Sequence, residues 1–241
     1  MPGKSFFIDT SLCTACKGCQ VACKQWHDLP AEKTLNRGTY QNPADLSFVT
    51  YKLVRFNETV VDGKLKWLFF PDQCRHCLEP PCEMTAEDPK AIFRDPATGA
   101  VLFTDSSKDM DTQEVIEACP YNVPRAAKNG TLAKCDMCND RVRNGLLPAC
   151  VKTCPTGAMN FGNRDEILVM AKNRLATVKK TYPKAKLLDP DNVRVIYLVT
   201  EDPMLYHSFA VASNSAIDID ISRKVALNKL LRPLTRLTAG L

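Results

Sequence analysis

Apolar residues in this chain come in short blocks, and several of these blocks stand directly ahead of or behind a group of cysteines. Phe6, Phe7 and Ile8 form a run that predicts a strand just before the first group. Strand character returns over 47–56 and 65–70, the second segment ending in Trp67, Leu68, Phe69 and Phe70 ahead of the second group. Two apolar runs within 91–103 flank Asp95-Pro-Ala-Thr-Gly99, whose turn chemistry predicts a hairpin. Another strand is expected over 158–161.

Beyond the last cysteines, Ile167, Leu168, Met170, Ala171, Leu175 and Val178 recur at helical spacing, so 165–180 predicts a helix, ended by Tyr182-Pro183. Residues 193–200 are apolar and β-branched, hence a strand. Over 222–237, Leu227, Leu230, Leu231 and Leu234 repeat at helical spacing among Arg223, Lys224, Lys229, Arg232 and Arg236, with Pro233 interrupting. A basic amphipathic tail of this kind packs on its own domain or docks a partner subunit.

The chain has 241 residues, 45% of them hydrophobic, enough to bury a real core. Twelve cysteines far exceed ordinary usage. The chain is too long and too rich in core aliphatics to be a small disulfide-stapled scaffold, so cysteine chemistry is its purpose. The net charge of +5 is modest and spread along the chain, which gives nucleic-acid binding little support. The N-terminal residues run into the first cysteines without a long apolar stretch or a cleavage site, so no secretion signal is expected. The longest uncharged stretch, 203–217, contains Pro, His, Asn and Ser and is shorter than the roughly twenty apolar residues a membrane helix needs, so no membrane span is expected.

The cysteines fall into groups. The first is Cys13, Cys16, Cys19 and Cys23; the second is Cys74, Cys77 and Cys82; Cys119 stands alone before Pro120; the last comprises Cys135, Cys138, Cys150 and Cys154, with Pro155 following. A run of the form Cys-x2-Cys-x2-Cys-x3-Cys wraps three corners of a [4Fe-4S] cube, and its fourth cysteine ligates the other cluster in two-cluster ferredoxins. Cys13 to Cys23 has that spacing throughout, with Lys24 in place of the usual proline.

Applied here, the exchange predicts three ligand sets: Cys13, Cys16, Cys19 and Cys154; Cys23, Cys135, Cys138 and Cys150; and Cys74, Cys77, Cys82 and Cys119. Completing the two partial runs would need cysteines at positions 86, 109, 112 and 115, which hold Ala86, Asp109, Thr112 and Val115. Together those vacancies amount to one whole missing site, which leaves three clusters and no spare cysteine. Zinc could account for Cys135, Cys138, Cys150 and Cys154 in isolation, but not for the three-cysteine bursts or the Cys-Pro ends. Disulfides would have to ignore the tight Cys-x2-Cys clustering. His76 lies inside a set already complete in thiolates, so a hydrogen-bonding role is expected in preference to ligation. Lys17, Lys24, Arg75 and His76 are candidates for tuning cluster potentials or are plain structural polar groups. Without a nucleotide-binding glycine fingerprint or a spare cysteine nucleophile, no catalytic residue is expected on this chain.

The order Cys74-Arg-His-Cys77, Glu79-Pro-Pro-Cys82, Ala118-Cys-Pro-Tyr-Asn-Val-Pro-Arg125, Lys134-Cys-Asp-Met-Cys138 and Pro148-Ala-Cys-Val-Lys-Thr-Cys-Pro-Thr-Gly157 resembles the iron–sulfur β subunits of the molybdenum and tungsten oxidoreductases. These serve formate dehydrogenases and the nitrate, dimethyl sulfoxide and polysulfide reductases. The resemblance spans about residues 4–165, and many members carry the fourth cluster absent here. That loss, the lack of a C-terminal membrane anchor, and the stretches 67–77 and 139–148 look most like soluble formate dehydrogenases of sulfate-reducing bacteria.

The resemblance implies an α+β fold of two ferredoxin-like [4Fe-4S] modules. Residues 1–40 with 128–165 would form a two-cluster module, 41–127 an inserted one-cluster module, and 166–241 a C-terminal helix, strand and basic tail. It also implies an α/β heterodimer with a large catalytic subunit that holds tungsten or molybdenum on a bis-pterin guanine dinucleotide, and a multihaem c-type cytochrome as acceptor. Location in the periplasm would follow from co-export with a signal-bearing partner, the cytoplasm being the alternative. A reductase β subunit and a free polyferredoxin are the rival readings.

Overall fold

The computed structural model describes residues 3–213; the expected helix over 222–237 lies outside them. In chain order the elements are β1 (Lys4–Asp9), α1 (Gly18–Trp26), β2 (Leu53–Val61), β3 (Lys64–Asp72), α2 (Pro81–Met84), β4 (Ile92–Arg94), β5 (Val101–Phe103), α3 (Thr112–Glu117), β6 (Arg125–Ala126), β7 (Leu132–Ala133), α4 (Asn139–Arg143), α5 (Ala149–Lys152), β8 (Met159–Asn163), α6 (Arg164–Val178), β9 (Lys186–Leu188), β10 (Val195–Val199) and α7 (Pro203–Tyr206). The result is a mixed α/β molecule with short elements and long cysteine-bearing loops. Among the described residues no helix is long and apolar enough to cross a membrane.

The largest sheet has the strand order β8-β1-β10-β9. β1 pairs antiparallel with β8 and parallel with β10, Phe6 lying opposite both Phe161 and Val195. Both faces are covered, so β1 and β10 are buried along nearly their whole lengths, as continuous apolar runs require. Alternation then sorts the side chains. Phe6, Ile8, Val195, Tyr197 and Val199 join the core that contains Cys19, Cys150, Phe70 and Met137. Phe7, Ile196 and Leu198 point the other way, onto Ile167, Ala171 and Val178 of α6. The segment beyond 166, expected as an extension, thus supplies two strands and the covering helix of the sheet that begins at Lys4.

The strand expected over 47–56 starts only at Leu53, because Ser47 to Thr50 closes a tight turn. From there β2 and β3 form one long hairpin around Asp62-Gly63, both in the left-handed region, with Val61 opposite Lys64. The Asp-Gly pair between two strand-forming segments is the sequence cause of that two-residue turn. The hairpin of β4 and β5 forms where expected, the Asp95 carboxylate accepting the amides of Ala97 and Thr98 at 3.0 and 2.9 Å.

Candidate functional site

The first Cys-x2-Cys step of three cysteine groups has the same backbone kink. The residue just before its second cysteine, Ala15, His76 or Met137, has φ of 52°, 47° or 68°. Non-glycine residues adopt this region at a cost, so its repetition in three loops marks a shared geometric demand. The kink turns amides inward. The His76 amide donates to Cys74 Sγ at 3.3 Å, and the Ala15 amide does the same for Cys13.

The helices then carry the remaining cysteines to the loops. Cys19 and Cys23 lie four apart on α1, hence on one face, and α1 packs against α5, which carries Cys150. Pro81 at the start of α2 presents Cys82 in its first turn. Cys119 and Cys154 each follow a short helix, α3 and α5.

This scaffold gathers the twelve free thiols in three places. Cys13, Cys16, Cys19 and Cys154 line one cavity together with Lys17, Val54 and Met159. Cys74, Cys77, Cys82 and Cys119 line a second, with Arg75, Tyr121 and Lys134. Cys23, Cys135, Cys138 and Cys150 form the third group: Cys23 and Cys150 act electrostatically on Cys135, and Cys138 and Cys23 act on Cys150. All four of this last group are buried, whereas Cys16 is exposed and Cys77 and Cys119 are half-buried. Charge coupling also orders the groups. Cys19 acts on Cys150 and Cys74 acts on Cys135, so the fully buried group lies between the other two.

Burial disfavours the bare thiolates. It pushes Cys13 and Cys119 up to about 11 and raises Cys77, Cys82, Cys135 and Cys150 as well. Such thiols ionise readily only against bound cations, which is the chemistry of a thiolate metal site. Gln73 Nε2, Arg75 Nε and His76 Nε2, all adjoining Cys74, are buried without an acceptor among the described residues. Orphaned donors in and next to a four-thiol loop, Arg75 lining its cavity, fit an anionic iron–sulfur cluster, whose sulfurs accept hydrogen bonds, better than a bare zinc ion.

His76 itself is fully buried, and its Nδ1 accepts the Val101 amide at 3.0 Å. The ring proton is therefore on Nε2, and the imidazole has no free lone pair for a metal. The other tuning candidates divide. Lys17 lines the first cavity and holds Tyr40 through its ring and its carbonyl. Lys24 donates to the carbonyls of Pro30 and Val49, fastening the following loop. Arg75 is turned into an aromatic and carboxylate cage formed by Asp72, Phe70, Tyr121 and Tyr197.

One residue escaped the sequence reading. His27, four after Cys23 and capping the C-terminus of α1, donates from Nδ1 to the Cys23 carbonyl and from Nε2 to Asp136, both at 2.9 Å. Burial opposes its charge, but the bonds to Asp136, Cys138 and Cys23 outweigh it and hold the imidazolium. His27, Asp136 and Cys138 bring ligand atoms within 4.8 Å of one another. With both ring nitrogens donating, this is an ion pair at the edge of the middle group and no metal site. The Cys-x3-His spacing was the available signal.

At the vacant positions, Ala86 and Val115 belong to one apolar core with Cys82, Ile92, Val101 and Leu132, while Asp109 is exposed. Aliphatic packing stands where a further donor set would need thiolates.

A 4Fe-4S dicluster domain model matches residues 65–164. The chain is 61% identical over 213 residues to the formate dehydrogenase subunit beta of Megalodesulfovibrio gigas, covering 87% of this chain and 99% of that one. It is 53% identical over 214 residues to the formate dehydrogenase 2 subunit beta (cytochrome c-553) of Nitratidesulfovibrio vulgaris, covering 86% and 98%. Against the iron-sulfur subunit of the nitrate-inducible formate dehydrogenase of Escherichia coli it is 40% identical over 222 residues, covering 89% and 74%. Grouped thiols, a matching iron–sulfur domain and near full-length similarity agree: the chain belongs to the family of formate dehydrogenase β, or iron–sulfur, subunits, the electron-transfer and non-catalytic partners in those complexes.

Proposed function

We propose that this chain holds three [4Fe-4S] clusters, on Cys13/Cys16/Cys19/Cys154, Cys23/Cys135/Cys138/Cys150 and Cys74/Cys77/Cys82/Cys119. It carries electrons between a subunit that oxidises formate to CO2 and an external acceptor. When bound, such clusters supply one-electron transfer. The chain supplies the spacing, the burial and the local charge.

The observation that carries this reading is the partition of twelve thiols into three groups of four with none left over, the wholly buried group lying between two that reach toward the surface. A middle station needs no access to solvent, whereas entry and exit do. The first two sets belong to a ferredoxin-like module of 1–40 with 128–165, and the third to a module inserted at 41–127.

The catalytic partner holds tungsten or molybdenum on a bis-pterin guanine dinucleotide, and the two chains form a heterodimer in the periplasm. A multihaem c-type cytochrome is the acceptor; the cytochrome c-553 in the name of the Nitratidesulfovibrio relative supports a partner of that class. The group of Cys13 faces the catalytic subunit and the group of Cys82 faces the exit.

Iron and inorganic sulfide analysis tests the first claim, with about twelve of each expected per chain. Zinc, or about sixteen iron, would refute it. In the complex, Cys82→Ala is expected to abolish cytochrome reduction while formate still reduces the catalytic centre. Undiminished cytochrome reduction would refute the assignment of that cluster as the exit.

A further inference from the structure

Two lysines are buried in this protein where no carboxylate receives them. Lys52, 2% exposed and just ahead of β2, donates its Nζ protons to the carbonyl of Pro71 and the side-chain oxygen of Gln73. Lys134, 6% exposed and just ahead of Cys135, donates to the carbonyls of Val101 and Cys135 and lies 4.6 Å from the centre of the Phe103 ring. All four acceptors are neutral, and neither ammonium ion-pairs with a carboxylate among the described residues. Burying an uncompensated ammonium is costly enough that such a group normally gives up its proton or finds an anion.

The anions are the thiolates. Lys134 lines the cavity of Cys74, Cys77, Cys82 and Cys119, and its ammonium donates to the carbonyl of Cys135, so it stands between the group of Cys82 and the middle group. Lys52 donates to the carbonyl of Pro71, which lines the cavity of Cys13, Cys16, Cys19 and Cys154, and the adjoining Leu53 shares a core with Cys135, so it stands between the group of Cys13 and the middle group. The electrostatics agree, since Cys19 and Cys150 favour the charge on Lys52 against its burial.

We propose that Lys52 and Lys134 are the shared counter-cations of the wire, one at each junction, each setting the potentials of the two clusters that flank it. This rests on the three-cluster reading above. A [4Fe-4S] cube with four thiolates is an anion that becomes more negative when reduced, so a fixed neighbouring cation favours the reduced form of both neighbours. It also offsets the repulsion between adjacent stations that both hold an electron. The lysines are positioning residues in this sense: they touch no substrate and act on the potentials of groups held by others.

The test is a redox titration followed by electron paramagnetic resonance on the complete complex, with iron content measured first. Wild-type protein lacking the expected iron would defeat the cluster reading itself; a full iron complement leaves the lysine proposal to stand or fall on potentials. Lys52→Met is expected to move two of the three midpoint potentials of this chain to more negative values and leave the third. Lys134→Met is expected to move two as well. The two pairs must share one cluster, the middle one, and Lys52→Arg and Lys134→Arg must remain near wild type.

Unmoved potentials, or one equal shift of all three, would overturn the proposal. If a methionine variant fails to load iron, the arginine variant and a Lys→Gln variant decide. Iron retained with arginine and lost with glutamine supports a charge requirement, and iron lost with arginine too marks a packing role and overturns it.

Discussion

Arg75 Nη1 donates to Asp72 Oδ1 at 2.9 Å, and both side chains are sealed from solvent although they flank the cysteine loop that starts at Cys74. Arg55 Nε reaches the other oxygen of the same carboxylate at 2.7 Å. Burial raises the Asp72 carboxyl, but Arg75 and then Arg55 outweigh it and hold it below the usual range. The Arg75 guanidinium also lies 4.6 Å from the ring centre of Tyr197 and 5.1 Å from those of Phe70 and Tyr121. A planar, permanently charged group fits this cage and an ammonium does not. Breaking a buried pair by removing one partner costs about 3–5 kcal/mol, so Arg75→Ala should lower stability by that amount. Arg75→Lys should recover only part of the loss. Denaturant unfolding followed by circular dichroism measures both.

A second buried carboxylate joins two parts of the chain. Asp95 accepts the amides of Ala97 and Thr98 in its own turn, and its other oxygen accepts Arg143 Nε at 2.9 Å and Asn139 Nδ2 at 3.3 Å from α4. Burial would raise this carboxyl, but the bonds from Thr98, Asn139 and Arg143 prevail and lower it. A group whose folded value is depressed gives its stabilisation above the unfolded value, about 3.9 for Asp, and loses it as pH falls through the folded value. Asp95→Asn should therefore cost about 1.5–3 kcal/mol at neutral pH, the worth of bonds to a charged group. The gap to wild type should begin to narrow below about pH 4, the unfolded value, and close as pH falls through the lower folded value. Melting temperatures of both proteins across pH 3 to 7, roughly the span of this titration, check the prediction.

Local patterns exposed several strands and the grouped cysteine spacing; contacts distant in sequence stayed hidden. The run of Phe6 to Ile8 and the Asp95 to Gly99 turn gave their elements directly, because periodicity and turn chemistry are written in neighbouring residues. The Asp62-Gly63 hairpin went unread although its turn pair was local. Nothing local says that β10 inserts parallel between β1 and β9, for that depends on covering both faces of the sheet. The left-handed backbone at Ala15 and Met137 had no residue signal, since neither type favours that region, and a single His76 was too weak a sign of it. Lys52 and Lys134 looked like ordinary lysines, which are almost never fully buried unless paired.

Exposure sets an order of vulnerability. Cys16 is exposed and Cys13 and Cys154 half-buried, whereas every cysteine of the middle group is buried. Oxidants and chelators act where they have access. Mild oxidation with a chelator should therefore remove about one third of the iron quickly, from the group of Cys13, if three cubes share it equally. The middle group should be the last to lose iron. Alkylation of the thiols freed at each stage, followed by peptide mapping, identifies the set: Cys16 and Cys13 should be labelled first, and Cys135 and Cys150 last.

His27 and Asp136, 109 positions apart in sequence, tie the end of α1 to the loop of Cys135 and Cys138. Asp136 Oδ1 also accepts the Cys138 amide at 2.8 Å, so the carboxylate holds that loop in its kinked form while His27 holds the carboxylate. His27→Gln leaves a side chain that cannot donate to Asp136 and to the Cys23 carbonyl at once. Half-buried Asp136 then keeps its negative charge with one strong donor gone, at a cost of about 1.5–3 kcal/mol. Because the strain falls on Cys23 and Cys138 together, the iron of the middle group should become the easiest to remove. Stepwise chelation with thiol mapping would then show Cys135 and Cys150 labelled early in His27→Gln, reversing the wild-type order. An unchanged order would mean that the ion pair fastens α1 without governing the middle group.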